Sequence, residues 1–266
     1  MFETIKNAFK IKDLRKKILY TLFMLLVFRL CCYIPTPFIN TNFTKEAVGN
    51  NGLLSMIDVI TGGSLANYTF MAMGISPYIN ASIILQLLAV VSPKLQAMQK
   101  EGPEGQRKIN KITRYSSIVL ALIQSIGICV SLNGAIVSGY QNMAWFCYIV
   151  IGVVLSAGSA LAIWIGERIT ERGIGNGISL LIFIGIVSRL PSAVTSYIQV
   201  ATKDARMWWY LIPIAIAIAA IIVVIVIVEL GERRIPVQYA KRVTGRKVYG
   251  GASTYMPIKP NGAGVL

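Results

Sequence analysis

Apolar residues occur in long runs along this chain, and polar or basic segments separate them. A helix needs roughly 20 apolar residues to cross a hydrocarbon core of about 30 Å. The last run, IAIAIAAIIVVIVIV, alternates as a β-strand would, but its length favours a spanning helix. The pattern therefore predicts an all-α polytopic membrane protein with six transmembrane helices, at residues 18–34, 75–91, 115–132, 145–165, 178–200 with a bend at 189–191, and 208–228.

The apolar stretch from residue 53 to residue 91 is broken twice, at Gly62-Gly63 and at the sequence GISP that begins with Gly74. Its first part, residues 53–66, would be about 21 Å long as a helix, which is too short to cross. Non-helical backbone at membrane depth is tolerated only inside protein or beside water. We therefore expect this stretch to line a cavity, with its first part as a short re-entrant helix.

Composition and charge fix the class and the orientation. Of 266 residues, 55% are hydrophobic and only 14% are charged, well below the charged fraction of about 25% in soluble domains. Cytoplasmic loops of membrane proteins carry an excess of Lys and Arg, which places both ends of the chain in the cytoplasm if there are six spans. Of the 26 Lys and Arg residues, 21 lie in residues 1–17, 92–114, 166–177 and 229–266.

Both terminal segments are basic. Residues 1–17 form a short amphipathic segment that should lie along an anionic inner leaflet. In the tail, residues 229–266, two stretches have strand character, at 234–239 and 247–255, and Thr244-Gly245 can turn between them. We expect a protruding cytosolic β-hairpin there.

No arrangement typical of an enzyme is found in the sequence. It contains no His, no paired carboxylates inside spans and no nucleotide-binding loop, and the glycines of GIGNG fit a tight turn before a new helix. The four cysteines lie in apolar segments without a CxxC pattern, so we expect buried apolar side chains. No catalytic residue, cofactor or metal is expected.

Three polar side chains lie inside apolar segments. Arg29, near the outer end of the first span, leaves two interpretations open: it reaches the interface, or it faces a polar interior. Asp58 could be an ion site, as in transporters, but the wet side of the short helix is the preferred position. The amide of Gln124 is expected to bond to a neighbouring helix.

Small residues at four-residue spacing predict that the fourth span packs closely against other helices.

Isoleucines recur one helical turn apart at the starts of two helices, as Ile75 and Ile79 and as Ile178 and Ile182. Ordinary helix packing explains such spacing and is favoured by the spacing alone. The other interpretation is a hydrophobic constriction, which blocks ions by dewetting and offers no polar group to hold a passing substrate. A constriction of this kind suits a large and chemically varied substrate.

Seven segments, in order and over nearly the whole chain, resemble the SecY family, the channel subunit of the general protein-secretion translocase. They are VFRLCCYIPTP, IDVITGGSL, MGISPYINASIILQLLAVVSPKL, EGPEGQRKINKITRYSSIVLALIQSIGI, GERITERGIGNGISLLIF, RRIPVQYAKRVTGRKVYGG and KPNGAGV.

The resemblance implies a role for the broken stretch. Residues 53–66 would be the plug, a short helix that closes the outer funnel, and residues 75–91 would form one side of a lateral gate beside the third span. The implied plug residues are Leu54, Ile57, Asp58, Ile60, Gly62 and Gly63. The implied pore ring in this half is Ile75, Ile79, Ile178 and Ile182. The implied lateral-gate residues that meet a signal sequence are Asn80, Ile83 and Gln124.

The resemblance also implies partners. The full protein would conduct unfolded polypeptides outward through the bacterial cytoplasmic membrane and release apolar segments sideways into lipid. Its partners would be SecE, SecG, the SecA motor, the ribosome, signal sequences and anionic lipid. The tail would dock the ribosome or SecA through Arg233, Arg234, Arg242, Arg246 and Lys247, although the positive-inside bias alone also explains such charges.

One departure from the family concerns length. The family has ten spans in two pseudo-symmetric halves, and this sequence stops at Leu266, where the seventh span should begin. We therefore expect the N-terminal half of such a channel, unable to translocate alone.

Two other classes stay open from the residues. A secondary transporter would place the ring positions toward lipid and pair Asp58 with Arg29 in a polar interior. A non-conducting membrane scaffold would pack the fifth span against the broken stretch with no funnel between them.

Overall fold

The computed structural model describes residues 11–131, 136, 143–203, 207–237, 242–244, 247–249 and 254–258. The first ten residues of the predicted basic segment, the turn residue Gly245, Arg246 and the KPNGAGV motif lie outside these ranges. The chain forms two compact units, Met1–Ala193 and Val194–Leu266. The described helices are α1 Lys12–Cys31, α2 Thr41–Asn50, α3 Gly52–Ile60, α4 Ser76–Val91, α5 Pro93–Lys100, α6 Pro103–Ser131, α7 Ala144–Arg172, α8 Gly177–Val187, α9 Leu190–Lys203 and α10 Met207–Leu230.

The structure is mostly helical, as predicted. Among the described residues, four helical segments are long and apolar enough to cross a membrane by themselves, and α4 with α5, bent by 100° at their junction, could be a fifth. The first predicted span lies in α1, whose opening turns carry Asp13, Arg15, Lys16 and Lys17 in the same continuous helix. Because of these charges, α1 is less apolar than the four segments that can cross a membrane by themselves. The four segments are Pro103–Ser131, Ala144–Arg172, Gly177–Thr202 and Trp209–Leu230.

Helix α7 is the most buried of these four spans, with half of its apolar window inside the protein. Gly152 lies against Ser125 and Ile126 of α6, and the Ser125 hydroxyl donates a 3.1 Å hydrogen bond to the Gly152 carbonyl. Farther along α7, Gly158 lies so close to the Phe70 carbonyl that a Cβ would overlap it. The close packing predicted from small residues is confirmed.

Residues 92–114, expected as an inside loop, are largely helical. They form α5 and the first turns of α6, and α6 begins at Pro103, which suits a first helical turn because it has no N–H to satisfy. Gly102 makes the reversal between the two helices with a positive φ of 76°. No Pro occurs from residue 104 to residue 131, so the α6 helix continues from this basic segment into the apolar span.

The broken stretch is interrupted at both predicted places. Helix α3 ends at Ile60, the next two glycines have φ values of 68° and 89°, and α4 begins at Ser76 with Pro77 in its first turn. Residues 61–75 form a non-helical strip between them, which we call the connecting strip.

The connecting strip is fixed to the rest of its unit by backbone hydrogen bonds. The Phe70 N–H donates to the Ile34 carbonyl over 2.8 Å, and the Thr36 N–H donates to the Tyr68 carbonyl over 3.1 Å. The Tyr68 ring is buried, and its hydroxyl lies 3.2 Å from the Cys129 thiol of α6. This strip is therefore a firm support for the two helices on either side.

The second unit contains α10 and four short strands. Helix α10 is helical throughout, with Pro213 inside, so length rather than alternation decided its structure. Strand character is observed at parts of both predicted stretches, but the pairing is nested. The strand at 247–249 pairs with the strand that precedes it by two residues in the sequence, and the two outer strands pair with each other. The antiparallel pairs are β1 Arg233–Val237 with β4 Thr254–Ile258, and β2 Arg242–Thr244 with β3 Lys247–Tyr249.

Candidate functional site

Three of the four predicted ring isoleucines meet at one small cavity. Ile75 immediately precedes α4, Ile79 lies one turn into it, and Ile182 comes from α8. The cavity has a volume of about 20 Å³, and Ile60, at the end of α3, closes another side. Ile75 is buried, so it does not face lipid. The structure thus places α3 against the ring positions.

Ile178 belongs to the same apolar cluster but lines a different space. Its Cγ1 packs against Gly166 of α7, where a Cβ would lie 3.0 Å away. On its other side is a charged cavity of about 780 Å³, whose lining includes Arg114 and Glu167. These two side chains form an ion pair of 3.0 Å between α6 and α7.

A second, largely apolar groove of about 490 Å³ joins the predicted plug and gate residues. Ile57 and Ile60 line it from α3, Ile79 and Asn80 from α4, and Gln124 from α6. Leu54 packs instead into the core beside the buried Leu65 and Tyr68. Ile83 is half-buried on α4 and is not among the residues that line the groove.

Asp58 is buried, with 3% of its surface exposed, so the expectation that it lies on the wet side of the short helix is wrong. One carboxylate oxygen accepts a 2.8 Å hydrogen bond from the Ala66 N–H of the connecting strip. The other forms an ion pair with Arg189, at the break between α8 and α9. A buried carboxylate needs such partners because desolvation of an unpaired charge is costly. The sequence signal for Arg189 was a lone arginine where an apolar span breaks.

Arg29 faces the interior rather than the membrane surface. Its Nη1 atom is buried and has no hydrogen-bond partner among the described residues, and its guanidinium lies 5.8 Å from the centre of the Tyr33 ring. Of the two interpretations left open for Arg29, the structure supports the polar interior. The pair that would indicate a transporter, Asp58 with Arg29, is not formed, because Asp58 pairs with Arg189.

The Gly62-Gly63 turn lies between the two arginines. A Cβ on Gly62 would lie 2.7 Å from the Gly185 carbonyl oxygen and 2.9 Å from Arg29 Nη1, and a Cβ on Gly63 would lie 3.0 Å from Arg189 Nη2. Both glycines have positive φ, which other residues adopt only with strain. Helices α1, α3 and α8 therefore meet at this turn.

The basic tail residues are distributed over two separate two-stranded sheets. Arg233 and Arg234 lie exposed on β1, while Arg242 and Lys247 lie on β2 and β3. Arg246 lies outside the described residues. Within the part of the chain that the structure describes, no three His, Cys, Asp or Glu side chains come together as a metal site.

Packed apolar helices, one of them bent, and a short helix inserted among them define a polytopic helical membrane protein with an internal site. The SecY family model matches residues 69–266. The chain belongs to the SecY family.

Curated bacterial relatives support the same assignment. The chain is 42% identical over 278 residues to the protein translocase subunit SecY of Streptomyces coelicolor, and 44% identical over 276 residues to that of Thermotoga maritima. In each case the match covers 100% of this chain and 63% of the relative. These relatives are translocase subunits, not enzymes, and with the apolar helices they indicate a multi-pass protein of the bacterial cytoplasmic membrane.

Solved structures share the fold. A protein-conducting channel matches with a TM-score of 0.62 at 20% identity, covering 92% of this chain and 52% of that one. Sec61 in the canine ribosome–channel complex matches with a TM-score of 0.58 at 19% identity, covering 89% and 53%. A third match is a SecY structure whose plug domain is described as stabilising the closed state of the translocation channel. It has a TM-score of 0.54 at 21% identity and covers 92% of this chain and 52% of that one.

Proposed function

We propose that this chain forms the N-terminal half of the central channel subunit of a secretory translocase. The complete subunit passes unfolded polypeptides across the cytoplasmic membrane and releases apolar segments laterally into it. The observation that carries this proposal is the groove shared by Ile57 and Ile60 of α3, Ile79 and Asn80 of α4, and Gln124 of α6. In a channel, this is where a plug, a constriction and a lateral exit have to meet.

In this proposal α3 is the plug and the isoleucines are half of a pore ring. The side chain of Ile60 lies beside Ile75, Ile79 and Ile182, with a space of only about 20 Å³ between them. A narrow aliphatic passage excludes ions by dewetting and has no polar group to trap a peptide. The described arrangement corresponds to a closed channel, and conduction requires α3 to leave this seat.

We propose that α4 forms one side of the lateral gate, with α6 beside it on the same side. Asn80 and Gln124 line an otherwise apolar groove, and such a surface can accept the apolar helix of a signal sequence while bonding to its polar backbone ends. Ile83, half-buried on the same helix, would lie farther along the path of the signal sequence.

We infer the partners of this chain and its orientation in the membrane from its charge distribution and its family. We assign both ends of this chain to the cytosol, where the basic segment 1–17 contacts anionic lipid and the tail contacts the ribosome or SecA. Exposed Arg233 and Arg234 on β1, together with Arg242, Arg246 and Lys247, suit phosphates of ribosomal RNA. SecE and SecG are the proposed membrane partners. The energy for transport would come from the whole set of partners, which includes SecA and the ribosome.

The two alternative classes are less well supported. The transporter required ring positions facing lipid and an Asp58–Arg29 pair, and the described residues provide neither. The scaffold required no funnel between α8 and the broken stretch, and here α3 itself fills that space, which a plugged channel and a scaffold have in common. The translocase relatives favour the channel.

The test is site-specific photocrosslinking in the complete translocase during transport of a secretory protein. Probes replacing Ile79 and Gln124 are expected to crosslink to the arrested polypeptide, Ile79 throughout transit and Gln124 while the signal sequence is engaged. A probe at Leu22 of α1, an exposed apolar position, is the matched control and should contact lipid only. Crosslinks at Leu22 equal to those at Ile79 would contradict the proposed path.

A further inference from the structure

Apart from Leu54, which packs into the core, helix α3 has little apolar anchoring of its own. Met56, Ile57, Val59 and Ile60 all remain substantially exposed, whereas the connecting strip that follows is buried and hydrogen-bonded to its surroundings. Apolar burial therefore contributes less to holding α3 in place than it does for the strip. A specific polar contact has correspondingly more influence on where this helix lies.

The Asp58 carboxylate supplies that contact and has two partners of different kinds. Its hydrogen bond from the Ala66 N–H is internal to the broken stretch and joins α3 to the connecting strip. Its ion pair with Arg189 reaches 131 positions along the chain, to the break between α8 and α9. The ion pair is thus the polar link between α3 and the helix that carries Ile182.

The surroundings are shaped to admit the arginine. Gly63 leaves room for the Arg189 guanidinium, and Gly185 leaves room for the Ile60 carbonyl, which lies 2.9 Å from the position of a Cβ there. Two glycines on facing elements let the backbones and the guanidinium approach together. The carbonyl end of α3 also carries partial negative charge, which favours a nearby cation.

We propose that Asp58 and Arg189 are a positioning pair that holds α3 in its closed seat beside the pore ring. This inference rests on the proposed channel function, in which α3 is the plug. The pair is asymmetric, because the Asp58 side chain is 4% exposed and that of Arg189 is 35% exposed. Loss of the arginine leaves a buried carboxylate without a counter-charge, whereas loss of the carboxylate leaves an arginine that water can still reach.

The experiment measures ion leak through resting channels of the assembled translocase in lipid vesicles. Arg189→Gln is expected to raise the leak by roughly tenfold or more. Removing the arginine leaves the buried Asp58 carboxylate unpaired, which strongly disfavours the closed position of α3. Asp58→Asn is expected to raise it less, since asparagine still accepts the Ala66 hydrogen bond. The double variant is expected to leak less than Arg189→Gln alone, because the unpaired buried charge is gone.

Two further variants make the result specific. Glu167→Gln breaks a second long-range ion pair among the described residues, with Arg114, and should leave the leak unchanged because that pair does not touch α3. Arg189→Lys keeps the charge and should retain most of the seal, which keeps the test informative if Arg189→Gln fails to assemble.

Leak equal to the parent in Arg189→Gln, Arg189→Lys and Asp58→Asn would overturn the positioning role. So would a double variant that leaks more than Arg189→Gln, or a leak of equal size from Glu167→Gln. Failure of the proposed function is read separately, from an unsubstituted complex that transports no polypeptide.

Discussion

At the scale of single residues, the positions that matter most are small or charged and lie around one turn. Gly62 and Gly63 have positive φ and lie against Arg29 and Arg189. A side chain at either position would meet both a backbone penalty and a steric one. Conformation and space therefore require glycine here, independently of any role in transport.

Gly63→Ala tests this requirement. Alanine at a φ of 89° costs about 1–3 kcal/mol, and its Cβ would lie 3.0 Å from Arg189 Nη2. We expect a leakier resting channel, measured as ion flux through the complete translocase in vesicles. Gly49→Ala in α2 is the control, because nothing lies within 4 Å of a Cβ there, and it should leave the flux at the parental level. A sealed Gly63→Ala channel would contradict the close fit of this turn.

At the scale of secondary-structure elements, α7 is the central support. It packs against α6 through Gly152 and against the connecting strip through Gly158. Because the strip connects α3 to α4, the positions of these two helices depend on this packing. Helix α7 makes no proposed contact with substrate, but its packing positions the helices that line the candidate site.

Gly158→Ala tests the packing of α7. Its Cβ would overlap the Phe70 carbonyl, so the strip has to shift, and overpacking of this kind costs about 1–3 kcal/mol. We expect a lower midpoint for thermal unfolding of the purified protein in detergent. Gly127→Ala on α6, with nothing within 4 Å of its Cβ, should leave the midpoint unchanged. Equal midpoints for both variants would show that α7 does not support the strip in this way.

At the scale of the whole molecule, the predicted ring positions come from segments that are distant in sequence. Ile75 immediately precedes α4, Ile79 lies in its first turns, and Ile182 comes from α8, 103 positions after Ile79. Their meeting at one cavity beside Ile60 is a property of the tertiary structure. A constriction of this kind should depend on aliphatic side chains rather than on any single contact.

Polar substitution of Ile79 and Ile182 tests the constriction in the complete channel. Ile79→Asn with Ile182→Asn should wet the passage, raise ion leak and relax the selection of signal sequences, because dewetting needs apolar walls. Ile79→Leu with Ile182→Leu keeps the walls apolar and is the matched control. Conductance and secretion of a defective signal sequence are the measurements. Parental values in the asparagine variant would contradict the ring assignment.

Much of the fold could be predicted because it follows from local chemistry. Long apolar runs, the breaks at Gly62-Gly63 and at Gly74, and the turn before Gly177 all had local signals, and the structure shows helices and breaks there. The loop expected at residues 92–114 proved helical, because proline at the first turn of α6 starts a helix as readily as it ends one. The nested strands of the tail differ because pairing partners are not a local property.

The sequence by itself determined the membrane class, the helical character, the broken stretch and, through ordered motifs, the family. Only the tertiary structure decided that Asp58 is buried and pairs with Arg189, that Arg29 faces the interior, and that Ile60 and Ile79 line two spaces, one with Ile75 and Ile182 and the other with Asn80 and Gln124. The reason is physical. Hydrophobic runs and turn residues act on their immediate neighbours, whereas the partner of a buried charge depends on which distant elements the fold brings into contact.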